Sequence, residues 1–478
     1  MKSQMNFSLK NILALASCTF AFSVHALPVK SRALADMIAQ RSSSARARAL
    51  DASGFYVAAL GDRVQLIQSG AASAADLQAA GESALALNRL ESLAYAAPEL
   101  SKRGGTSSWP PALRAALASY EFRMGRTARA AQWMPPLSAL NNMRSPAART
   151  RAFLTASAIQ VAQGKMQEAS SILSAVTQGS SGKMAALARV QRARLLYDLG
   201  RYAEALEELS QVQKSSPYWY DGVGLAAWSA YKVADDNLVL GQTMTLNSPH
   251  LARKFNPESH ILEAASLYRL CHYESAQRSV NRMRAKYSKM PNLISRFGRE
   301  YGNRNAGISA ILQYVRGGEA PAGYSGNEWD LLVDGVISQE TFADADRLLV
   351  QTKDEEDALE AMGRGLRAPF QREFDGTKRE AARLAQKTLS HRLADMNSDI
   401  QRNMEGALAV EVEINTRLRE RLASGAVARM KDVDFEAEVR KGYEFWPFEG
   451  EYWRDELGGY AFATSDVCSD AATTGGAR

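Results

Sequence analysis

Four carboxylates, Glu449, Glu451, Asp455 and Glu456, stand among clustered aromatics near the end of a 478-residue chain. Paired carboxylates at a suitable separation can serve as general acid and base on a glycosidic bond, with Trp446 and Trp453 stacking on sugar rings. Other catalytic signatures are absent. His250, His260, His272 and His391 follow no His-Glu-x-x-His arrangement, and no second cysteine lies near enough in sequence for a zinc site. Gly179-Ser180-Ser181-Gly182-Lys183-Met184 lacks the first Gly of a phosphate loop and the Ser or Thr after its Lys. It reads as a loop between helices. There is no Gly-x-Ser-x-Gly elbow. The reading is a non-enzymatic protein without catalytic, cofactor-binding or metal-binding residues.

The elements around those residues are organised by one stretch that occurs twice. Ala193-Arg194-Leu195-Leu196-Tyr197-Asp198-Leu199-Gly200-Arg201-Tyr202-Ala203-Glu204-Ala205 returns as Ala264-Ala265-Ser266-Leu267-Tyr268-Arg269-Leu270-Cys271-His272-Tyr273-Glu274-Ser275-Ala276. Six of the thirteen pairs are identical at an offset of 71 residues, so the pattern is not incidental composition. Small residues at Ala193 and Ala205 allow two helices to approach, and Gly200 suits a left-handed turn between them. Pro217 marks where the second helix should stop. Gly164 with Ala169, and Gly125 with Ala130, repeat the frame upstream; a degenerate unit lies around Trp228–Val239. Cys271 in place of Gly predicts a turn that is not left-handed.

This order of small residue, aromatic, Gly, aromatic, Ala and Pro resembles the tetratricopeptide repeat, a helix–turn–helix of about 34 residues, of which the offset is nearly two units. The resemblance implies an all-α helical-repeat solenoid whose first helices line a concave, protein-binding groove. In register with the two strong copies, Arg194, Tyr197, Asp198, Tyr268 and Arg269 would face it, joined by Phe122 and Arg123 from a weaker copy. Tyr197 and Tyr268 have an alternative role in packing against adjacent repeats.

Along the chain, Met1–Ala26 reads as an export signal: Lys2 and Lys10 precede the apolar run Ile12–Val24, and Val24-His25-Ala26 fits a small-x-Ala cleavage site. Leu15-Ala16-Ser17-Cys18 offers a lipoprotein alternative with Cys18 acylated. Removing the signal takes two lysines and no acid, so a net charge of +6 becomes +4. That is too mild for a nucleic-acid binder. Exported, the mature chain keeps only Cys271 and Cys468; separate thiols are the preferred reading and one bridge the alternative.

Residues 27–105 form an N-terminal helical region, with Leu77, Leu85, Leu87, Leu90 and Leu93 on one face and Pro98 helping to close it as a loop. Repeats occupy 106–316, and Gly317–Asn327 is the candidate domain break. A helical extension covers 328–442. Within it Leu389, Leu393, Met396, Ile400, Met404, Leu408, Val412, Leu418 and Leu422 mark an amphipathic helix about 75 Å long. It is either packed on the repeats or a coiled-coil seam for a second copy (389–422).

Residues 443–464 hold six aromatics between Glu444 and Tyr460, against 8% in the whole chain, so they have a task. They cap the fold or dock a partner through Trp446, Phe448, Tyr452, Trp453 and Arg454. Residues 465–478 read as disordered. Trp446-Pro447-Phe448 and Tyr452-Trp453-Arg454-Asp455-Glu456-Leu457-Gly458 resemble the ending of exported tetratricopeptide proteins of bacterial gliding-motility and envelope complexes. That resemblance implies a periplasmic adaptor with protein partners. The alternatives are a cell-wall lytic enzyme, whose Glu-Ser motif with a Gly-rich sequel this chain does not carry, since Glu82-Ser83 and Glu91-Ser92 lack the sequel and Glu274-Ser275 lies inside the repeat, and a self-assembling structural protein.

Overall fold

The computed structural model describes residues 32–101, 108–179, 182–302, 305–424, 444, 448–464 and 468. The expected export signal with Cys18, Trp446, and the expected disordered tail apart from Cys468 lie outside them. Among the described residues every regular element is helical, as the repeat pattern requires.

Two compact units emerge, one of residues 1–188 and 337–389, the other of 189–336 and 390–478. Helices of the first are α1 Arg32–Ile38, α2 Ser44–Ala52, α3 Tyr56–Ser69, α4 Ala74–Leu87, α5 Glu91–Ser101, α6 Pro111–Arg123, α7 Thr127–Trp133, α8 Leu137–Leu140, α9 Pro146–Ala162 and α10 Met166–Gly179. Then α11 Gly182–Asp198 leads into α12 Tyr202–Ser210, α13 Trp219–Lys232, α14 Asp236–Leu246, α15 Glu258–Arg269, α16 Tyr273–Tyr287, α17 Met290–Tyr301, α18 Asn305–Val315 and α19 Gly326–Ile337. Helix α20 Glu340–Met362 and the first part of α21 Gln371–Ser424 belong to the first unit, and α21 from Ser390 onward to the second. The second helix of the first strong copy ends at Ser210, seven residues short of Pro217. Pro98 does not close α5 but lies inside it; lacking an N–H, it forgoes one helical bond and the helix continues to Ser101.

Five hairpins (α6–α7, α9–α10, α11–α12, α13–α14 and α15–α16) turn in one way. Their turn residues Gly125, Gly164, Gly200, Ala234 and Cys271 have φ of 74, 76, 77, 63 and 61°. At each, the turn N–H reaches the carbonyl three residues back, and the next N–H reaches the one five back at 2.8–3.0 Å. Paired closure of this kind satisfies carbonyls that a helix end leaves open. Cys271 is therefore left-handed after all: the two bonds hold φ positive in spite of a Cβ penalty of about 1–2 kcal/mol.

Seven residues before each turn stands a buried small residue: Ala118, Ser157, Ala193, Ala227 and Ala264. Five residues after it, Ala130, Ala169, Ala205, Val239 and Ala276 are fully buried. These are the crossing points at which two helix backbones come close, and neighbouring leucines fill the rest at about 1.5–3 kcal/mol per buried side chain. Gly317–Asn327 falls inside the second unit, where Tyr324 is buried and packs edge-on to Phe297 at 5.6 Å.

In the first unit, the late helices hold the early ones by their ends. Glu355 of α20 accepts hydrogen bonds from Val57 N (2.9 Å) and Ala58 N (3.0 Å) in the first turn of α3. Glu380 of α21 does the same for Leu90 N and Glu91 N at α5, both 3.1 Å. Carboxylates are suited to helix N-termini, where unsatisfied N–H groups and the helix dipole converge. Arg151 and Asp344, both almost fully buried, pair at 3.1 Å.

In the second unit, α21 packs on repeat helices. Gly406 lies against Ile261 of α15, Met396 against Gly335 of α19, and Arg284 of α16 pairs with Glu411 at 2.5 Å. Leu389, Leu393, Met396 and Ile400 are buried as the stripe required. Beyond Ile400 the buried positions are Asn403, Ala407, Val410 and Ile414, while Leu408 and Val412 are both 56% exposed. This corrects the expected stripe: burial keeps alternating steps of four and three, a seven-residue repeat, from Leu389 to Ile414, whereas the expected row 400–404–408–412 steps by four throughout and turns off that face.

Candidate functional site

Helix α11 carries Arg194, Tyr197 and Asp198 within two turns, and the hairpin closure at Gly200 fixes their orientation. Tyr197 is buried and meets Tyr202 of α12 edge-on, centroids 5.1 Å apart. Burial, with Tyr202, Asp198 and Glu258 nearby, raises its phenol well above the usual range. Asp198 is exposed, yet loss of hydration pushes its carboxyl up to about 6, with Arg194 opposing the shift. Asp221 of α13 behaves alike: it is exposed, and raised by lost hydration against the pull of Arg194 and Lys254.

Loss of hydration at side chains that still touch water comes from protein crowding them on several sides without covering them. Glu258 of α15 is within electrostatic reach of Tyr197. Its carboxylate accepts from Trp228 Nε1 at 2.9 Å, and burial raises its pKa. Among the described residues, Asp198 and Asp221 make no hydrogen bond or close ion pair. The arrangement can receive a cation from a partner on two unengaged carboxylates, with Arg194 beside them for an acceptor oxygen.

Asp221 and Glu258 each stand thirteen residues before their turn, at 234 and 271. Sequence reasoning missed both: the degenerate unit around Ala234 was never placed in register with its neighbours, and Glu258 precedes the repeated stretch that begins at Ala264.

The other expected contact residues are engaged within the chain. Tyr268 donates its hydroxyl to Glu413 Oε2 of α21 at 3.2 Å and tilts against Tyr273, centroids 5.6 Å apart. Arg269 pairs with Asp236, lies 4.0 Å above the Tyr231 ring and donates to the Tyr231 carbonyl at 3.1 Å. It ties α15 to the preceding hairpin. In the first unit, Phe122 is buried with Ala130, Ala158 and Ile159, and Arg123 donates to Asn88 Oδ1. Burial lowers the Arg123 pKa, against the pull of Glu380 and Asp344. These four serve packing: each is held by a helix or helix end of its own unit.

The C-terminal segment caps helices of the second unit. Gly458 N donates to Thr245 Oγ1 at 2.8 Å, and Gln242 Nε2 to the Gly458 carbonyl at 3.2 Å. Phe462 N and Thr464 N donate to the carbonyl and Oδ1 of Asn237. Leu457 and Tyr460 are buried, whereas Phe448 (47%), Trp453 (46%) and Arg454 are exposed. Tyr452 is half-buried, edge-on to Phe448 at 5.3 Å, and its carbonyl meets His250 Nε2 at 3.1 Å. Glu451 accepts from the Glu449 amide at 2.9 Å.

Cys468 is bonded to Cys271, with Cα atoms 5.3 Å apart. The preferred reading of separate thiols is corrected, because the returning segment brings the tail to the α15–α16 turn. Among the described residues no group of three or more His, Cys, Asp or Glu could hold a metal ion, and no helix is long and apolar enough to cross a membrane. His260 is buried and its pKa falls to about 3 by loss of hydration.

Residues 112–219 match the family model of the tetratricopeptide repeat-like domain, a stretch holding the turns at Gly125, Gly164 and Gly200. No curated protein matches the chain. The all-α repeat architecture and the tetratricopeptide resemblance stand on this match together with the five turns.

Proposed function

We propose that this chain is an exported, non-enzymatic scaffold that holds a protein partner in a bacterial envelope complex. A tetratricopeptide-like domain suggests protein partners, and one observation carries the reading further. Arg194, Asp198 and Asp221 stand on successive first helices, an arrangement we read as a recess, and among the described residues make no hydrogen bond or close ion pair, while every other expected first-helix contact is taken up in packing. The complementary occupant is a segment of a partner protein that brings a Lys or Arg to the two carboxylates and an oxygen acceptor to Arg194.

Export is supported by the apolar run after Lys10 and by the Cys271–Cys468 bond, since such bonds persist in oxidising compartments. A soluble periplasmic form and a form anchored through Cys18 fit the same reading. The place in a motility or other envelope assembly rests on the resemblance of the aromatic ending. Affinity capture with the exported chain carrying Arg194→Glu and Asp198→Lys tests the proposal. Loss of the proteins captured by the wild type supports it, and unchanged capture by a folded double variant rejects it.

A further inference from the structure

Residues Asp455–Thr464 form a strap whose seat on α13 and α14 reads backbone more than side chains. Five hydrogen bonds hold it, each using a main-chain group of the strap: the amides of Gly458, Phe462 and Thr464, the carbonyl of Gly458, and the carbonyl of Asp455, which accepts from Lys214 Nζ. Gly241 makes the approach possible, since a Cβ there would stand 1.8 Å from the Tyr460 carbonyl oxygen. Opposite it, Gly458 has φ +84° and sits against the Trp219 indole. Only Leu457 and Tyr460 are inserted as side chains. Hydrogen bonds that replace bonds to water each contribute only modest net stability, so the strap's hold depends on what limits its escape. That limit is the Cys271–Cys468 bond, which closes a loop of 197 residues, long enough for a large effect on chain entropy.

We propose that the seat on α13 and α14 is a redox-gated peptide site, filled by the chain's own strap while Cys271–Cys468 is intact and open to the strap of a second copy once it is reduced. The reductant is a dithiol. One of its thiolates attacks a sulfur of the bridge, the other displaces the mixed disulfide, and the chain is left with two thiols as the dithiol becomes a disulfide. Two electrons and two protons pass to the protein. The freed strap and the freed seat are complementary by construction, so exchange between copies reuses contacts already present. The strap's hydrogen bonds use none of Arg194, Asp198 and Asp221, so this proposal does not depend on the partner proposed for them.

The test is hydrogen exchange on the full chain, oxidised and after dithiothreitol, together with uptake of a labelled synthetic peptide of residues 455–464. Reduction should speed exchange at Gly458, Phe462 and Thr464 by at least about 10-fold, leave α15 and α16 unchanged, and raise peptide uptake by a similar factor. Cys468→Ser should behave as the reduced protein without dithiothreitol, and Thr245→Val, a small change, should lower uptake. Equal strap exchange in both redox states overturns the proposal, as does faster exchange throughout α15 and α16. Faster strap exchange with no peptide uptake overturns it too.

Discussion

Tyr268 donates its hydroxyl to Glu413 at 3.2 Å, so a side chain that the repeat pattern assigns to a partner is held by the chain's own long helix. In the second unit α21 lies on the repeats where a foreign helix could otherwise sit, with Gly406 against Ile261 and Glu411 paired to Arg284. Tyr268→Phe should cost about 0.5–1.5 kcal/mol, the net worth of one hydrogen bond. Urea unfolding would measure it; a variant as stable as the wild type would show that the contact adds nothing.

A second expectation concerns the repeat turns. Ala234 holds φ 63° with a Cβ that favours the opposite sign. Ala234→Gly should raise stability by about 1 kcal/mol. Thermal unfolding of the variant at a temperature below wild type would contradict the account of these turns.

Glu355 gives the pH dependence its sign. Burial pushes its carboxyl up to about 7, against the bonds from Val57, Ala58 and Gln351 that hold it down. The folded value lies above the ordinary 4.5, so the stability linked to this proton is complete below pH 4.5 and is lost as pH rises through 7. Relative to Glu355→Gln, the wild type should lose on the order of 3 kcal/mol between pH 4.5 and 7.5. Chemical unfolding of both proteins across that range checks this, and a constant difference would refute it.

Legibility differed by element. The turns were visible because Gly125, Gly164 and Gly200 mark them, and the buried small residues keep fixed distances from them. Ala234 was harder to read, since it hides a left-handed turn under an ordinary residue type. Half of the long helix stripe was legible, from Leu389 to Ile400; beyond it the row of large apolar residues steps by four, while burial keeps the four-three alternation through Asn403, Ala407 and Val410, positions whose residue types do not mark them. The site was the least legible part. First-helix position alone does not say whether Arg269 meets a partner or Asp236, because that depends on a neighbouring hairpin. Pairing of Cys271 with Cys468 likewise required knowing that the strap returns to α14.

Leu408 and Val412 stand exposed one turn apart, large apolar side chains on which α21 could pair with a second copy. Should self-assembly occur through this helix, Leu408→Glu with Val412→Glu would convert the oligomer to monomer in sedimentation velocity. An oligomer that survives both substitutions excludes this seam.

Site-specific photocrosslinking from position 198 in intact cells, compared with position 269, tests the scaffold claim most directly. A discrete protein adduct from 198 that disappears with Arg194→Glu, and none from 269, is the predicted result. No adduct from 198, or the same adducts with Arg194→Glu present, would contradict the proposal that this recess holds the partner.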